Sequence, residues 1–349
     1  MSHDRWTLPP EWAPQQAVML TWPHLGTDWG PVLDEVEPVW VELADAITAH
    51  EALLLVAHDQ AVADHARDLL DRRRLPMHRV HIAVVPTDDT WARDHGPITV
   101  RRNGTRVPLD FVFNGWGDKF DATRDNAITR ILDAQGLFMA PSVPFDLVLE
   151  GGSIEVDGNG SLLTTRRCLL NPNRNPALDQ AALEAILTRH LGVDQVLWLH
   201  HGHLHGDDTD AHIDTLARFA PDRAIVHVAC DDPADPHYDD LRAMANELAD
   251  LRDADGQPYR LHPLPWPAPK RDADGNRLAA SYANYLIIND AVLVPTYRDP
   301  RDADALAVIA AAHSGRTIVP IDCLSLLQQG GSLHCLTMQI PEGTLNLGA

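Results

Sequence analysis

The stretch ITVRRNGTRVPLDF (98–111) reads as two extended runs joined at Asn103-Gly104. Asn-Gly favours the left-handed backbone of a tight turn, so the segment predicts a β-hairpin. The same reading recurs along the chain. GGSIEVDGNGSLLTT (151–165) turns at Asp157-Gly158-Asn159-Gly160, HIDTLARFAPDRAIVHVAC (212–230) at Pro221-Asp222, and SYANYLIINDAVLVPTY (281–297) at Asn289-Asp290. A fifth run, GGSLHCLTMQIP (330–341), has the opening run AVMLTWP (17–23) as its expected partner, a pairing that closes a circle through the two ends of the chain.

Helical patterns separate the hairpins. TRDNAITRILDAQG (123–136) ends on Gly136, suited to a helix C-terminus, and ALDQAALEAILTRHL (177–191) carries a mostly apolar stripe, with Asn173 or Asn175 as an upstream cap. DDLRAMANELADLRD (239–253), DALAVIAAAHSGR (304–316), EPVWVELADAITAHE (37–51) and QAVADHARDLLDRRR (60–74) read as helices too. Short apolar runs follow several of them: VHIAVVP (80–86), QVLWLH (195–200) and RTIVPI (316–321). The unit is β-β-α-β, repeated about five times. Its leading polar residues are Asp94, Glu150, His212, Asn284 and Cys335, roughly 50–70 residues apart, as in a pseudo-symmetric ring that brings them to one axis. Asn284 is placed by spacing alone. No linker or low-complexity tract divides the chain, so residues 1–349 are expected to form one catalytic domain of the α/β class.

Composition narrows the function. A chain of 349 residues, 45% hydrophobic and 22% charged, can build a sizeable core. No run of about 18 apolar residues suggests a membrane span, and MSHDRWTLPPEWAPQQAV lacks the basic and apolar regions of a signal peptide. The net charge is −22, from 28 basic against 50 acidic residues. That field repels nucleic acid and anionic lipid and favours a cationic small molecule. Cys168, Cys230, Cys323 and Cys335 form no CxxC pair, which fits reduced thiols and a cytoplasmic location. A homodimer is the default expectation, from the frequency of twofold homo-oligomers alone.

If Asp94, Glu150, His212, Asp214 and Cys335 converge, a thiol, an imidazole and three carboxylates share one cleft. Carboxylates oppose ionisation of a neighbouring thiol, an arrangement that makes sense when the substrate is a cation held between them. A guanidinium fits best, since it stays protonated and offers paired donors to carboxylates. Asp94 and Asp214 would each take N–H donors and set the carbon opposite Cys335. His212, positioned by Glu150, would protonate the departing amine and then activate water. No metal or cofactor is required.

Four motifs then carry a resemblance. WARDHGP (91–97), EGGS (150–153), GDDTDAHID (206–214) and GGSLHC (330–335) resemble the agmatine deiminase and bacterial peptidylarginine-deiminase-like family. The resemblance runs from PPEWAPQQAVMLTWPH (9–24) to the C-terminus. It implies the five-bladed α/β propeller, or pentein, fold of the guanidine-modifying superfamily. It also implies Cys335 as nucleophile, His212 as general acid/base, Glu150 as its carboxylate partner, and Asp94 and Asp214 as the guanidinium-binding pair. Trp91 would form an aromatic wall, and Asp208 would meet a substrate's distal amine. The implied activity is hydrolysis of agmatine to N-carbamoylputrescine and ammonia through a Cys thiouronium intermediate, a step of polyamine synthesis. The family usually reads GGGNIHC followed by TQQ or THQQ, so Ser332, Leu333 and Met338 depart from it and leave the pocket for the substrate tail open.

Other readings stand beside this one. A peptidylarginine or free-arginine deiminase uses the same reacting residues. Free arginine would call for a basic residue facing the pocket, with Arg218 and Arg298 as candidates. An amidinotransferase would resolve the adduct with an amine. The segment HHGHLHGDDTDAH (200–212) could instead mark a metal-binding protein, with His201/His203 or His203/His205 as an HxH pair, although HExxH is absent and the EF-hand pattern fails. Otherwise His200, His201, His203 and His205 are loop residues near the cleft mouth or a subunit contact. Trp91, Trp116 and Trp22 lie near motifs and are candidates to line a pocket.

Overall fold

In the computed structural model, which describes residues 6–347, turn chemistry sets the hairpins. Asn103 and Gly104 take φ of 51° and 87°, and they join Ile98–Arg102 to Thr105–Val112, antiparallel with Ile98 opposite Leu109. Such positive φ at both central residues matches the right-handed twist of the flanking strands. Glu155–Val156 pairs with Ser161–Thr165, Ala217–Ala220 with Ala224–Val228, and Leu286–Ile288 with Ala291–Thr296, all antiparallel. The fifth hairpin-like pair is made by the two chain ends: Thr337–Pro341 runs antiparallel to Gln15–Thr21, with Met338 opposite Met19.

From the second strand of each pair the chain passes through a helix and returns parallel to that strand. The returning strands are Val143–Val148, Gln195–Leu199, Arg260–Leu264, Thr317–Asp322 and Ala52–Ala57. Five small mixed sheets therefore share one connection order. Val143–Val148, Arg260–Leu264 and Thr317–Asp322, with sequences VPFDLV, RLHPL and TIVPID, each contain a proline, so they carry a weaker apolar signal than Ala52–Ala57 and Gln195–Leu199. Two sheets are extended: Trp6–Thr7 adds antiparallel to Ile98–Arg102, and Val80–Val84 adds parallel to Ala52–Ala57 beyond the helix Gln60–Arg73.

Local chemistry fixes the helix ends. Asp59 accepts from the Val62 amide at 2.9 Å to start Gln60–Arg73, and Asp179 accepts from Ala182 at 2.9 Å to start Gln180–Leu191. Each such cap contributes roughly 1 kcal/mol. Asp179 thus takes the place expected for Asn173 or Asn175. Asn175 instead bridges the Val148 amide and carbonyl, and Asn173 donates to Asp210. Trp22 is fully buried core, with its indole N–H on Glu37 at 2.9 Å, and does not line a pocket. Among the described residues no helix is long and apolar enough to cross a membrane.

Candidate active site

The reacting groups sit where hairpins begin. Asp94 lies in the short helix Ala92–His95 just before Ile98–Arg102. Glu150 precedes the turn Gly151–Ser153, and His212 and Asp214 flank the start of the turn Ile213–Thr215. Cys335 directly precedes the strand Thr337–Pro341 by one residue, Leu336. All five side chains are buried. They meet around a missing side chain: a Cβ on Gly152 would lie 2.7 Å from His212 Nδ1, 2.8 Å from Asp94 Oδ1 and 3.1 Å from Asp214 Oδ2. Glycine is required here so that three polar groups can converge on one backbone segment.

Asp94 is held from two sides. Its Oδ1 accepts from the Gly152 amide at 3.0 Å and its Oδ2 from the Trp116 indole at 2.9 Å. Trp116 itself adopts a left-handed backbone, φ 58° and ψ 42°, between Gly115 and Gly117, so backbone strain is stored where the indole is aimed. Burial, and then the charge of Glu150, pushes the Asp94 carboxyl up to about 7. Burial, and then Asp94, places Asp214 well above the usual carboxylate range. The Cys335 thiol lies 3.7 Å from Asp214 Oδ2 and 3.2 Å from Asn284 Nδ2. Burial, then Asp214 and Asp94, keeps it well above its ordinary value, so the empty site holds a thiol.

His212 stands ready to exchange a proton. Neither ring nitrogen has a hydrogen-bond partner, and Nδ1 is 3.6 Å from Asp94 Oδ1. Burial, and then the Arg174 charge, holds the ring neutral. Glu150, the expected carboxylate partner of His212, makes no hydrogen bond to it. Glu150 receives Arg174 Nε instead, at 2.8 and 3.1 Å to its two oxygens, although its ligand atoms lie within 4.8 Å of those of His212 and Cys168. Arg174 continues to Asp210 at 2.7 Å and the Thr209 carbonyl at 2.8 Å. It thereby ties Glu150 to the segment leading into His212, where Asp210 and Ala211 both take positive φ.

A cleft of ≈ 720 Å³, open mouth included, leads to Cys335. Its acidic lining is Asp28, Asp89, Asp94 and Asp208, its aromatic lining Trp91, Trp116 and Phe120, and among the described residues no lysine, arginine or histidine lines it. Trp91 packs on Gly331, where a Cβ would come within 2.2 Å of the indole. Asp89 accepts the Trp91 indole N–H at 3.1 Å, and burial raises its carboxyl to about 6. Neither candidate for binding an α-carboxylate reaches this space. Arg218 is buried between Glu11 and Glu155, and Arg298 is an exposed partner of Asp322.

The spacing of the repeats found Asn284, whose carboxamide oxygen also accepts the amides of His334 and Cys335 at 2.9 and 3.3 Å. Arg174 and Glu11 carried no comparable signal, because their partners Glu150, Asp210, Arg218 and His334 are 24 or more residues away in sequence. In the histidine-rich segment, His201 pairs with Glu247 and His203 with Asp240, both at 2.8 Å, and the His205 ring packs at a tilt of 52° against His237. Among the described residues, no group of His, Cys, Asp and Glu close enough to share an ion includes these histidines.

Residues 7–341 match the model for Porphyromonas-type peptidyl-arginine deiminase. A Porphyromonas gingivalis protein provisionally described as an arginine deiminase is 51% identical, with a TM-score of 0.91 and coverage of 98% of this chain and all of that one. A C. jejuni agmatine deiminase, solved as a cysteine-to-serine variant with substrate bound, is 35% identical, with a TM-score of 0.90 and 98% of each chain covered. The agmatine deiminase of Pseudomonas putida strain F1 is 35% identical over 97% of this chain and 96% of its own length.

Proposed function

The chain belongs to the Porphyromonas-type peptidyl-arginine deiminase family, and from that premise we propose that it is an agmatine deiminase, converting agmatine and water to N-carbamoylputrescine and ammonia. The observation that carries the substrate is the pair of buried carboxylates, Asp94 and Asp214, beside the Cys335 thiol, neither of them bonded to a lysine or arginine among the described residues. A guanidinium entering between them supplies a cation. Each carboxylate accepts N–H donors, and the central carbon is fixed against the sulfur. The added positive charge also offsets what holds the thiol protonated, so Cys335 ionises when substrate is present.

The residues then divide the steps. Cys335 Sγ bonds to the guanidinium carbon, and His212, whose ring nitrogens are unpartnered, moves the protons that let ammonia leave. Water attacks the thiouronium carbon, the C–S bond breaks, and the ureido product departs. Glu150 acts on His212 as a nearby charge while Arg174 fixes its position. The five sheets, which share one connection order, fit a five-bladed pentein propeller closed by the chain termini, with the chain as one catalytic domain around this site.

The lining of the cleft favours agmatine over its relatives. A free arginine brings a carboxylate into a space bordered by Asp28, Asp89 and Asp208, beside which Lys119 is already taken up by the Asp208 carbonyl at 2.6 Å and by Asp210 at 2.9 Å. A peptide-bound arginine leaves those carboxylates without a distal cation. Agmatine brings an ammonium to them. Incubation of purified protein in EDTA with agmatine, free arginine or an arginine peptide, followed by mass spectrometry, tests this. The expected result is a gain of about one mass unit on agmatine, as nitrogen is replaced by oxygen. Conversion of the peptide alone would overturn the substrate, and conversion of none would overturn the activity.

A further inference from the structure

His334, next to the nucleophile in sequence, points away from the cleft. Its buried ring lies between two buried carboxylates, with Nδ1 2.8 Å from Asp214 Oδ2 and Nε2 2.9 Å from Glu11 Oε2. A neutral imidazole carries one N–H and can donate to only one of them. Two hydrogen bonds of this length therefore require a second proton, either on the ring or on one carboxyl. Glu11 is not the place for it. That side chain receives Arg218 and the Ile287 amide as well as His334, and these contacts define an anion.

We propose that His334 is the proton reservoir of Asp214. In the empty site the proton sits on Asp214 Oδ2 and is donated to His334 Nδ1, and in the substrate complex it has crossed to Nδ1, leaving an ionised Asp214 to bind the guanidinium. Nε2–H stays on Glu11 throughout, so the chain Asp214–His334–Glu11 keeps two protons and one net negative charge in both states. No proton has to pass to solvent through the closed site. The substrate supplies the driving force, because its cation needs the carboxylate form of Asp214.

The surroundings poise the transfer. Arg93, whose Nε faces the His334 carbonyl at 3.5 Å, and Arg218 oppose a charge on the ring, while Glu11 favours one and Glu155 lies beside Glu11. Burial, then the two arginines, holds the ring neutral at rest, in line with a proton parked on Asp214. Burial alone would raise Glu11, but Arg218 and His334 hold it below the usual carboxylate range. Asn284 accepts the His334 amide and Cys335 follows in the chain, so the reservoir is rigidly placed against the reacting sulfur. His334 acts through Asp214 and is a positioning residue.

This inference rests on the agmatine reading, and one experiment separates the two. Nitrogen-15 histidine NMR is recorded on the Cys335→Ser protein with and without agmatine. The His334 signal is assigned by its loss in His334→Leu, or in His334→Gln should the first variant not fold. The expected result is a neutral ring with Nδ1 as acceptor that becomes an imidazolium on binding. A ring that stays neutral with agmatine bound, or is already charged without it, overturns the reservoir and leaves the substrate intact. Failure to bind agmatine at all overturns both. In the folded His334 variant with active Cys335, KM should gain a dependence of about tenfold per pH unit on the acid side, since Asp214 must then release its proton to solvent. A KM that follows the wild-type pH profile would also overturn the proposal.

Discussion

Two regions of this molecule gather buried carboxylates, and only one of them is neutralised by an arginine of the chain, while the other is the proposed seat of a substrate guanidinium. Behind His334, Arg218 is fully buried and ion-paired with Glu11 and Glu155, and it donates to the Tyr285 carbonyl at 2.6 Å. Beside Cys335, Asp94 and Asp214 form a second carboxylate pair, which among the described residues no lysine or arginine bonds, and the nearby Arg93 charge offsets it only in part. The consequences are opposite. Despite burial, Glu11 is held ionised by its arginine, whereas Asp94 and Asp214 are driven toward their neutral forms. A matched buried ion pair fixes geometry. An unmatched pair of buried carboxylates escapes its desolvation cost by taking up protons, and a bound cation would favour the ionised forms instead.

The sharpest break in this comparison is Cys335→Ala. Turnover should fall by roughly 10^5–10^6, the scale of removing a covalent nucleophile. The melting temperature should stay close to wild type, because a small buried side chain is exchanged for another. Substantial residual activity, with contamination excluded, would remove Cys335 from the mechanism.

Asp94→Asn and Asp214→Asn come next. Each should lower kcat/KM by on the order of 10^3 while leaving the melting temperature close to wild type, because a side chain that burial already drives toward its neutral form is replaced by a neutral one. Arg218→Met should do the reverse. It strands Glu11 and Glu155 as unpaired buried charges, at a cost of about 3–5 kcal/mol in denaturant unfolding. If the cleft variants lost stability and Arg218→Met did not, the contrast between filled and empty sites would collapse.

The smallest effect belongs to the mouth. Asp89, raised to about 6 by burial, is a carboxylate above that pH and a neutral acid below it. The KM for agmatine should therefore rise as pH falls through about 6, as the partner of the distal ammonium is lost. Asp89→Asn should raise KM about tenfold at pH 8, an effect of ~1.4 kcal/mol, and remove the inflection near pH 6 while leaving the one near 7 that Asp94 contributes, with little change in kcat. An unaltered KM profile in this variant would show that Asp89 only anchors Trp91.

The parts of this protein readable from sequence are those decided within a few residues. Asn103-Gly104, Asp222 and Asp290 adopt the left-handed backbone that their residue types allow, so the hairpins could be placed by their turns. The pairing of Thr337–Pro341 with Gln15–Thr21 joins opposite ends of the chain, yet it was legible because one apolar run lacked a partner. The recurring lead position marked Asp94, Glu150, His212, Asn284 and Cys335 before their contacts were known.

Only the tertiary structure decided what each charge faces. Arg218 was a candidate for a substrate carboxylate, but it neutralises Glu11, 207 residues away, and Glu155, 63 residues away. Glu150 was expected on His212 and is held by Arg174, while His334 joins Asp214 to Glu11. The physical reason is one of range. Turn and helix preferences are local and written in consecutive residues, whereas the ionisation of a buried group depends on desolvation and on charges brought near it by folding.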